Sequence, residues 1–336
     1  MKIKLLIASG DSDYAEHLSC NLSERHSDVI DVVVCRTPDR LRDVLGDRKF
    51  DVALLEASFI EDADIAMISL PLLLWADEET AGEAAAGLLR IRKYQRISSL
   101  VANILEHYAK ISTDLHGCDS GKAVITAVWA PAGGVGKTTV ALSYAARKAS
   151  EKKQVLYLNL EPFSSVCAYF TGTGKSVSAV FEMIESREGD VRMLIRGIRR
   201  QECEDGIAYF CPPDNFDDVN ILTTENISAL IGACAGVTDE LIVDMSCVCD
   251  ERTRKAFELA DRVLIVTDPT STAQIKLSQF LSQSDVIDRI RDKATIVANK
   301  GASLRESVID AIVRLPLVQS TDATAIYKAL SMSFEA

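Results

Sequence analysis

The run Gly133-Gly134-Val135-Gly136-Lys137-Thr138-Thr139 has the residue types and spacing to hold a phosphate chain. Glycines let the backbone wrap closely around an anion, with successive N–H groups pointing inward. An apolar strand pattern over 123–129 precedes the run, and a helical pattern to residue 150 follows it. A helix N-terminus there adds partial positive charge. Lys137 is expected to reach the β- and γ-phosphates, and the Thr138 hydroxyl to ligate Mg²⁺. Asp244 closes the apolar run Leu241-Ile242-Val243. An acid at the C-terminal end of a buried strand suits a Mg²⁺ shell, although a helix cap or a surface position would also explain it. Glu161, two residues after Asn159, is read either as a carboxylate that orients water or as a solvated strand-end residue. Asn299 ends the strand pattern Ile296-Val297-Ala298, and its amide matches the N6/N7 edge of adenine. A guanine site of the NKxD type would need an Asp where Ala302 stands. The expected ligands are therefore ATP and Mg²⁺. Gly133, Gly134, Val135, Gly136, Lys137, Thr138, Thr139 and Asn299 would hold the nucleotide, and Thr138 and Asp244 the metal.

The elements that must position these residues fall into two blocks. In the first, short apolar runs over 3–8, 29–35, 52–55, 70–75 and 88–91 predict strands of a parallel sheet covered on both faces. Helical patterns over 14–22 and 97–108 lie between and after them; Ile97, Leu100, Val101, Ile104 and Leu105 fall on one helix face. This order predicts a doubly wound α/β domain over 1–111. A Gly-, Ser- and Asp-containing stretch over 112–122 reads as a linker. The second block, 123–336, is α/β again, with strands over 123–129, 155–158, 207–210, 241–243, 263–267 and 295–298. Its helices include 224–234 and 272–281. Arg192, Arg196, Arg199 and Arg200 are expected on one helix, as a solvated face or a contact for DNA phosphates or an acidic partner.

Composition narrows the function classes. The 336 residues carry 37 Lys and Arg against 49 Asp and Glu, a net charge of -12, which argues against a DNA-coating protein. No signal-peptide pattern is visible, and the most apolar run, 70–76, is far short of the ~20 residues of a membrane span. Nine scattered cysteines then read as reduced thiols in a cytoplasmic protein.

With Gly133-Gly134 ahead of Gly136-Lys137-Thr138, the loop resembles the deviant Walker A loop of the MinD/ParA family. That family's pattern places a signature lysine just before the glycine pair; here the place holds Ala132. The resemblance implies an ATP-sandwiched homodimer. Loss of the lysine, which reaches the partner's nucleotide in the family, implies slow or absent hydrolysis. Iron–sulfur relatives place a cluster cysteine after the Walker B strand, where Cys247 and Cys249 stand, but no second cysteine is clearly placed for a shared cluster, and small buried cysteines are the plainer reading.

The first block resembles a response-regulator receiver domain of flavodoxin-like fold, with its chemistry missing. Ser9 and Gly10 stand at the acidic pair, Glu56 at the phosphoacceptor, and Trp75-Ala76 at the hydroxyl position; only Lys93 remains. An unphosphorylated receiver follows. Glu56 is read either as the partner of Lys93 in a fixed ion pair or as a solvated strand end.

A degenerate receiver fused to a MinD/ParA-like ATPase resembles the TadZ/CpaE pilus-assembly family. Pro131 in the loop, Tyr94-Gln95 after Lys93 and Pro212-Pro213 before the Walker B strand agree with it. That resemblance implies a localisation and assembly factor for a Tad (type IVb) pilus secretion system. Its implied partners are a second copy and Tad components including the secretion ATPase, with recruitment to a cell pole or the pilus machinery. A cycling MinD/ParA-type positioning or partitioning ATPase is the alternative. Specific nucleic-acid binding is not expected because the net charge is acidic, nor direct membrane insertion, because the C-terminal apolar helical pattern carries only Lys328 as a base.

Overall fold

The computed structural model describes residues 2–334 apart from 28, 77–86, 112–122, 173, 188, 203 and 304–306. Two compact units span Met1–His116 and Gly117–Ala336. The stretch read as a linker lies outside the described residues.

The N-terminal unit is a five-stranded sheet of β1 (Ile3–Ala8), β2 (Ile30–Cys35), β3 (Phe50–Glu56), β4 (Ile68–Trp75) and β5 (Leu89–Arg92). The strands are all parallel, in the order β2-β1-β3-β4-β5. That is a flavodoxin-like strand order. Leu6, Ala53, Leu55 and Leu73 pack with Leu41 and Leu45 of the helix Pro38–Asp47. Thr37 caps that helix by accepting the Arg40 N–H, and Pro38 enters at its first turn, where no amide donor is needed. The helix Ser12–Arg25 begins at Asp11, whose side chain accepts the Tyr14 N–H. β3 runs one residue past its apolar stretch, so Glu56 ends the strand under cover, 8% exposed.

The C-terminal unit holds β6 (Val124–Trp129), β7 (Val155–Asn159), β8 (Arg200–Gln201), β9 (Ala208–Tyr209), β10 (Glu240–Asp244), β11 (Arg262–Thr267), β12 (Ala294–Ala298) and β13 (Ile312–Arg314). Their order is β13-β12-β11-β6-β10-β7-β9-β8. Pairing is parallel except between β8 and β9. The central strands are buried along almost their whole length, as crossover helices on both faces require. The helix Lys137–Ser150 follows β6 and is packed by the C-terminal helix Ala323–Ser331 through Tyr327 and Leu330. Among the described residues no helix is long and apolar enough to cross a membrane.

β8 and β13 were not expected. Each has only two or three residues, too few for a periodic signal, and pairing with an existing sheet edge creates them. The arginine stripe is corrected too. Its helix is Val191–Ile198, so Arg199 and Arg200 lie beyond the end. Arg199 donates to the Val237 carbonyl, and Arg200 pairs with Tyr209 across β8 and β9. The four bases therefore form no common helical face.

Candidate functional site

The glycine-rich loop leaves the end of β6 in the middle of the sheet, with β11 on one side and β10 on the other. Gly134 and Gly136 have φ of 75° and 92°, left-handed values that a side chain resists. Gly136 is required twice over, since a Cβ there would come within 2.5 Å of the Asn299 Nδ2. It is also the residue at which the 14-residue helix Lys137–Ser150 starts, and no side chain caps that N-terminus. The first-turn N–H groups are thus left for an anion.

Lys137 is buried, 6% exposed. Its Nζ lies 3.0 Å from Glu161 Oε1 and donates to Cys247 Sγ at 3.4 Å. Burial works against its charge, but Glu161, Asp244 and Cys247 overcome that and hold the ammonium above its ordinary range. Glu161 therefore faces the loop rather than bulk solvent. Its backbone N–H is fixed by the Asn159 Oδ1 at 2.9 Å.

Asp244 ends β10 with no exposure at all. Register places it beside Val128 of β6 and Asn159 of β7. Its Oδ2 accepts from Thr138 Oγ1 at 2.7 Å, Tyr157 OH at 2.7 Å and Asn159 Nδ2 at 3.3 Å. Its Oδ1, fully buried, has no partner among the described residues. Burial, with the Glu161 charge nearby, pushes the carboxyl up to about 6 against the pull of Thr138, Tyr157 and Lys137. An orphaned buried carboxylate oxygen beside a threonine hydroxyl is a hard-oxygen donor set that fits Mg²⁺. Thr138 can give its hydrogen to Asp244 and still offer a lone pair to the metal.

Asn299 is buried beside the loop, where its Nδ2 donates to the Val135 carbonyl at 2.8 Å. Its Oδ1 accepts the Lys300 N–H at 2.9 Å. In this arrangement the amide braces the loop. Lys300 adds a second brace, from Nζ to the Gly134 carbonyl at 2.9 Å and to Asp268 Oδ2 at 3.1 Å. Thr139 meets the Tyr169 hydroxyl at 2.9 Å. Ala132 is buried in the core of the unit. Among the described residues no cluster of His, Cys, Asp and Glu could hold a metal by itself, and Cys247 is instead a partner of Lys137.

The structure thus brings Lys137, Thr138, Asp244, Glu161 and Asn299 together. Tyr157, Asp268 and Tyr169 join them without having been singled out, and Cys247 joins them as a partner of Lys137. Tyr157 sits in an apolar strand run and reads as core from sequence; only its register beside Asp244 reveals its use.

No family model matches the chain, and no curated protein does. Solved structures do. A ParA family ATPase from Chlorobium tepidum TLS is 20% identical over 64% of this chain and 91% of its own, with a TM-score of 0.52. About two thirds of the chain has the fold of a ParA family ATPase. Weaker likenesses include a chain of the MinC:MinD cell division protein complex from Aquifex aeolicus, at 16% identity over 63% of this chain and 93% of its own, TM-score 0.48. A cobyrinic acid a,c-diamide synthase from Mycobacterium smegmatis, with bound ATP analog and magnesium, follows at 18% identity, 62% and 93% coverage and TM-score 0.46. The share of this chain covered is about that of the C-terminal unit.

A second cluster lies at the C-terminal ends of the N-terminal sheet. Glu56 Oε1 accepts from Ser9 Oγ at 2.5 Å and lies 2.7 Å from Lys93 Nζ; Oε2 accepts the Gly10 N–H at 2.8 Å. Lys93 also meets Asp11 Oδ2 at 3.1 Å and lies over the rings of Tyr14 and Tyr94. Burial opposes the Lys93 charge, but Glu56 and Asp11 outweigh it and hold the ammonium above its ordinary range. Burial pushes the Tyr14 phenol up to about 12.

Proposed function

We propose that this protein is a nucleotide-gated localisation and assembly factor for a Tad (type IVb) pilus secretion machinery. The observation that carries the reading is a phosphate loop complete for Mg·ATP, with a buried alanine, Ala132, where a hydrolytic lysine would reach a partner's nucleotide. Gly133 to Thr139 take the phosphates, Thr138 and Asp244 the Mg²⁺, and Asn299 braces the loop through the Val135 carbonyl. Magnesium supplies charge neutralisation at the β- and γ-phosphates when bound. ATP then closes a homodimer that contacts Tad components, the secretion ATPase among them, at the cytoplasmic face of the machinery. Without the signature lysine, one cation is missing from the γ-phosphate in the transition state, a contact worth ~10³-fold or more in rate.

Glu161 supports a second reading, a cycling MinD/ParA-type ATPase stimulated by a partner, because its carboxylate is inside the site. Phosphate release from Mg·ATP by the purified chain separates the two, with oligomeric state recorded in the same samples. The expected result is an ATP-dependent dimer with little or no phosphate released. Turnover that Lys137→Ala abolishes would hand the lead to the cycling reading.

The N-terminal unit is, on this proposal, a receiver domain that no longer takes a phosphoryl group. The oxygens of Glu56 are already occupied by Ser9, Gly10 and Lys93, and Ser9 and Gly10 stand where an acidic pair would bind Mg²⁺. Incubation with a small acyl phosphate and Mg²⁺ should leave the intact mass unchanged. A gain of one phosphoryl group mapped to this unit would overturn the assignment.

A further inference from the structure

We infer that Tyr157 is a positioning residue for the magnesium-binding carboxylate, an inference that rests on the proposed Mg·nucleotide site. β7 and β10 run parallel in register, with Tyr157 beside Ile242 and Asn159 beside Asp244. Residues two apart on a strand share a face, so Tyr157 and Asn159 lie on one side of β7. The long Tyr157 side chain reaches one pair further along, and its hydroxyl donates to Asp244 Oδ2 at 2.7 Å. The same hydroxyl accepts from Asn159 Nδ2 at 3.0 Å. Both hydrogen-bonding capacities of the phenol are thereby used in a fully buried place, 1% exposed.

The consequence lies in which oxygen is left over. Oδ2 collects three donors, from Thr138, Tyr157 and Asn159. Oδ1 has none among the described residues and is fully buried. A quarter turn of the carboxylate about its terminal bond would break these contacts; the Tyr157 and Thr138 hydroxyls together hold the plane in which the second oxygen points away from them. Thr138 must also serve the metal, which leaves Tyr157 as the donor with no other task. Tyr157 is then the fixed wall that presents Oδ1 to the cation or its water shell. Hydrogen-bond partners that orient a ligand typically contribute ~10–100-fold to metal affinity.

The test is equilibrium binding of a fluorescent non-hydrolysable ATP analogue to the full chain, titrated with Mg²⁺, for wild type and Tyr157→Phe. The phenylalanine keeps the ring and removes only the hydroxyl. In the variant, the Mg²⁺ concentration for half-maximal enhancement should rise ~10-fold or more, while affinity for the analogue in EDTA stays within about twofold. A purely structural role would lower both together, and that outcome overturns the inference, as does an unchanged Mg²⁺ midpoint. Wild-type binding that ignores Mg²⁺ would instead sink the site reading and this inference with it. Should Tyr157→Phe not fold, Asn159→Ser removes the donor to the phenol together with the longer direct donor to Asp244 Oδ2. It should raise the same midpoint by a smaller factor, and an unchanged midpoint there also counts against Tyr157.

Discussion

Lys137→Ala is expected to remove measurable binding of Mg·ATP while leaving the fold in place. The ammonium is 6% exposed and aims into the loop. It is held above its ordinary range despite burial, so it is charged at any working pH. Against a triphosphate it would make charge-assisted hydrogen bonds, about twice as strong as neutral ones. Truncating one partner of a buried charged pair costs about 2–5 kcal/mol, or roughly 30- to several-thousand-fold in affinity. The lysine is engaged before any nucleotide arrives, by Glu161 at 3.0 Å and Cys247 at 3.4 Å. Phosphates must therefore displace both, which ties binding to movement of the segments after β7 and β10. In the alanine variant Glu161 loses its cation but is partly exposed and can take water instead. The stability cost should accordingly stay below the ~3–5 kcal/mol of breaking a fully buried pair. A titration with fluorescent ATP analogue beside a thermal melt checks both halves. Unchanged affinity would mean that the loop does not grip the phosphates through Lys137.

The phosphate loop was legible in the sequence because its chemistry is contiguous. Seven residues in a row specify the turn, the helix start, the cation and the hydroxyl, and only the flanking strand and helix have to agree. Asp244 was legible because a buried strand that ends in an acid is unusual enough to notice. Glu161 and Glu56 were named, but their surroundings were not: each could equally have been solvated. Burial of Glu56 depends on Ser9 and Gly10, 47 and 46 residues away along the chain, and on Lys93. Tyr157 illustrates the opposite limit. An aromatic in an apolar run matches core on every local criterion, and its hydroxyl acquires a role only through the register of β7 against β10. For Asn299, residue type pointed at an adenine edge, whereas in the structure its amide donates to the Val135 carbonyl and accepts the Lys300 N–H, contacts that follow from the tertiary approach of Gly136. Short edge strands such as β8 and β13 exist because a neighbour is there to pair with, a cause that no local pattern contains.

Glu56→Ala should destabilise the N-terminal unit more than any other single change outside its apolar core. The carboxylate and the Lys93 ammonium are each about one-tenth exposed or less and 2.7 Å apart. Removing one member of a buried pair leaves the other charge uncompensated, at about 3–5 kcal/mol. Here the loss also strips acceptors from the Ser9 hydroxyl and the Gly10 N–H. Asp11 remains for Lys93 at 3.1 Å, but it is partly exposed and screened. At ~4 °C or more per kcal/mol for a domain near this size, the melting transition of the unit should fall by roughly 10 °C or more. Replacing both partners, as in Glu56→Met with Lys93→Met, should recover most of that loss, because a well-packed apolar pair is often as stable as a buried ion pair. The pH dependence has a definite sign. The Lys93 value is raised on folding, so its contribution is complete below the unfolded lysine value near 10.5. It is lost only as pH climbs through the higher folded value. Wild type should therefore show a larger alkaline loss of stability above pH ~10.5 than the double variant, which keeps only the part due to the buried Tyr14 phenol. A melt of Glu56→Ala within a degree or two of wild type would show that the pair contributes no more than a surface salt bridge.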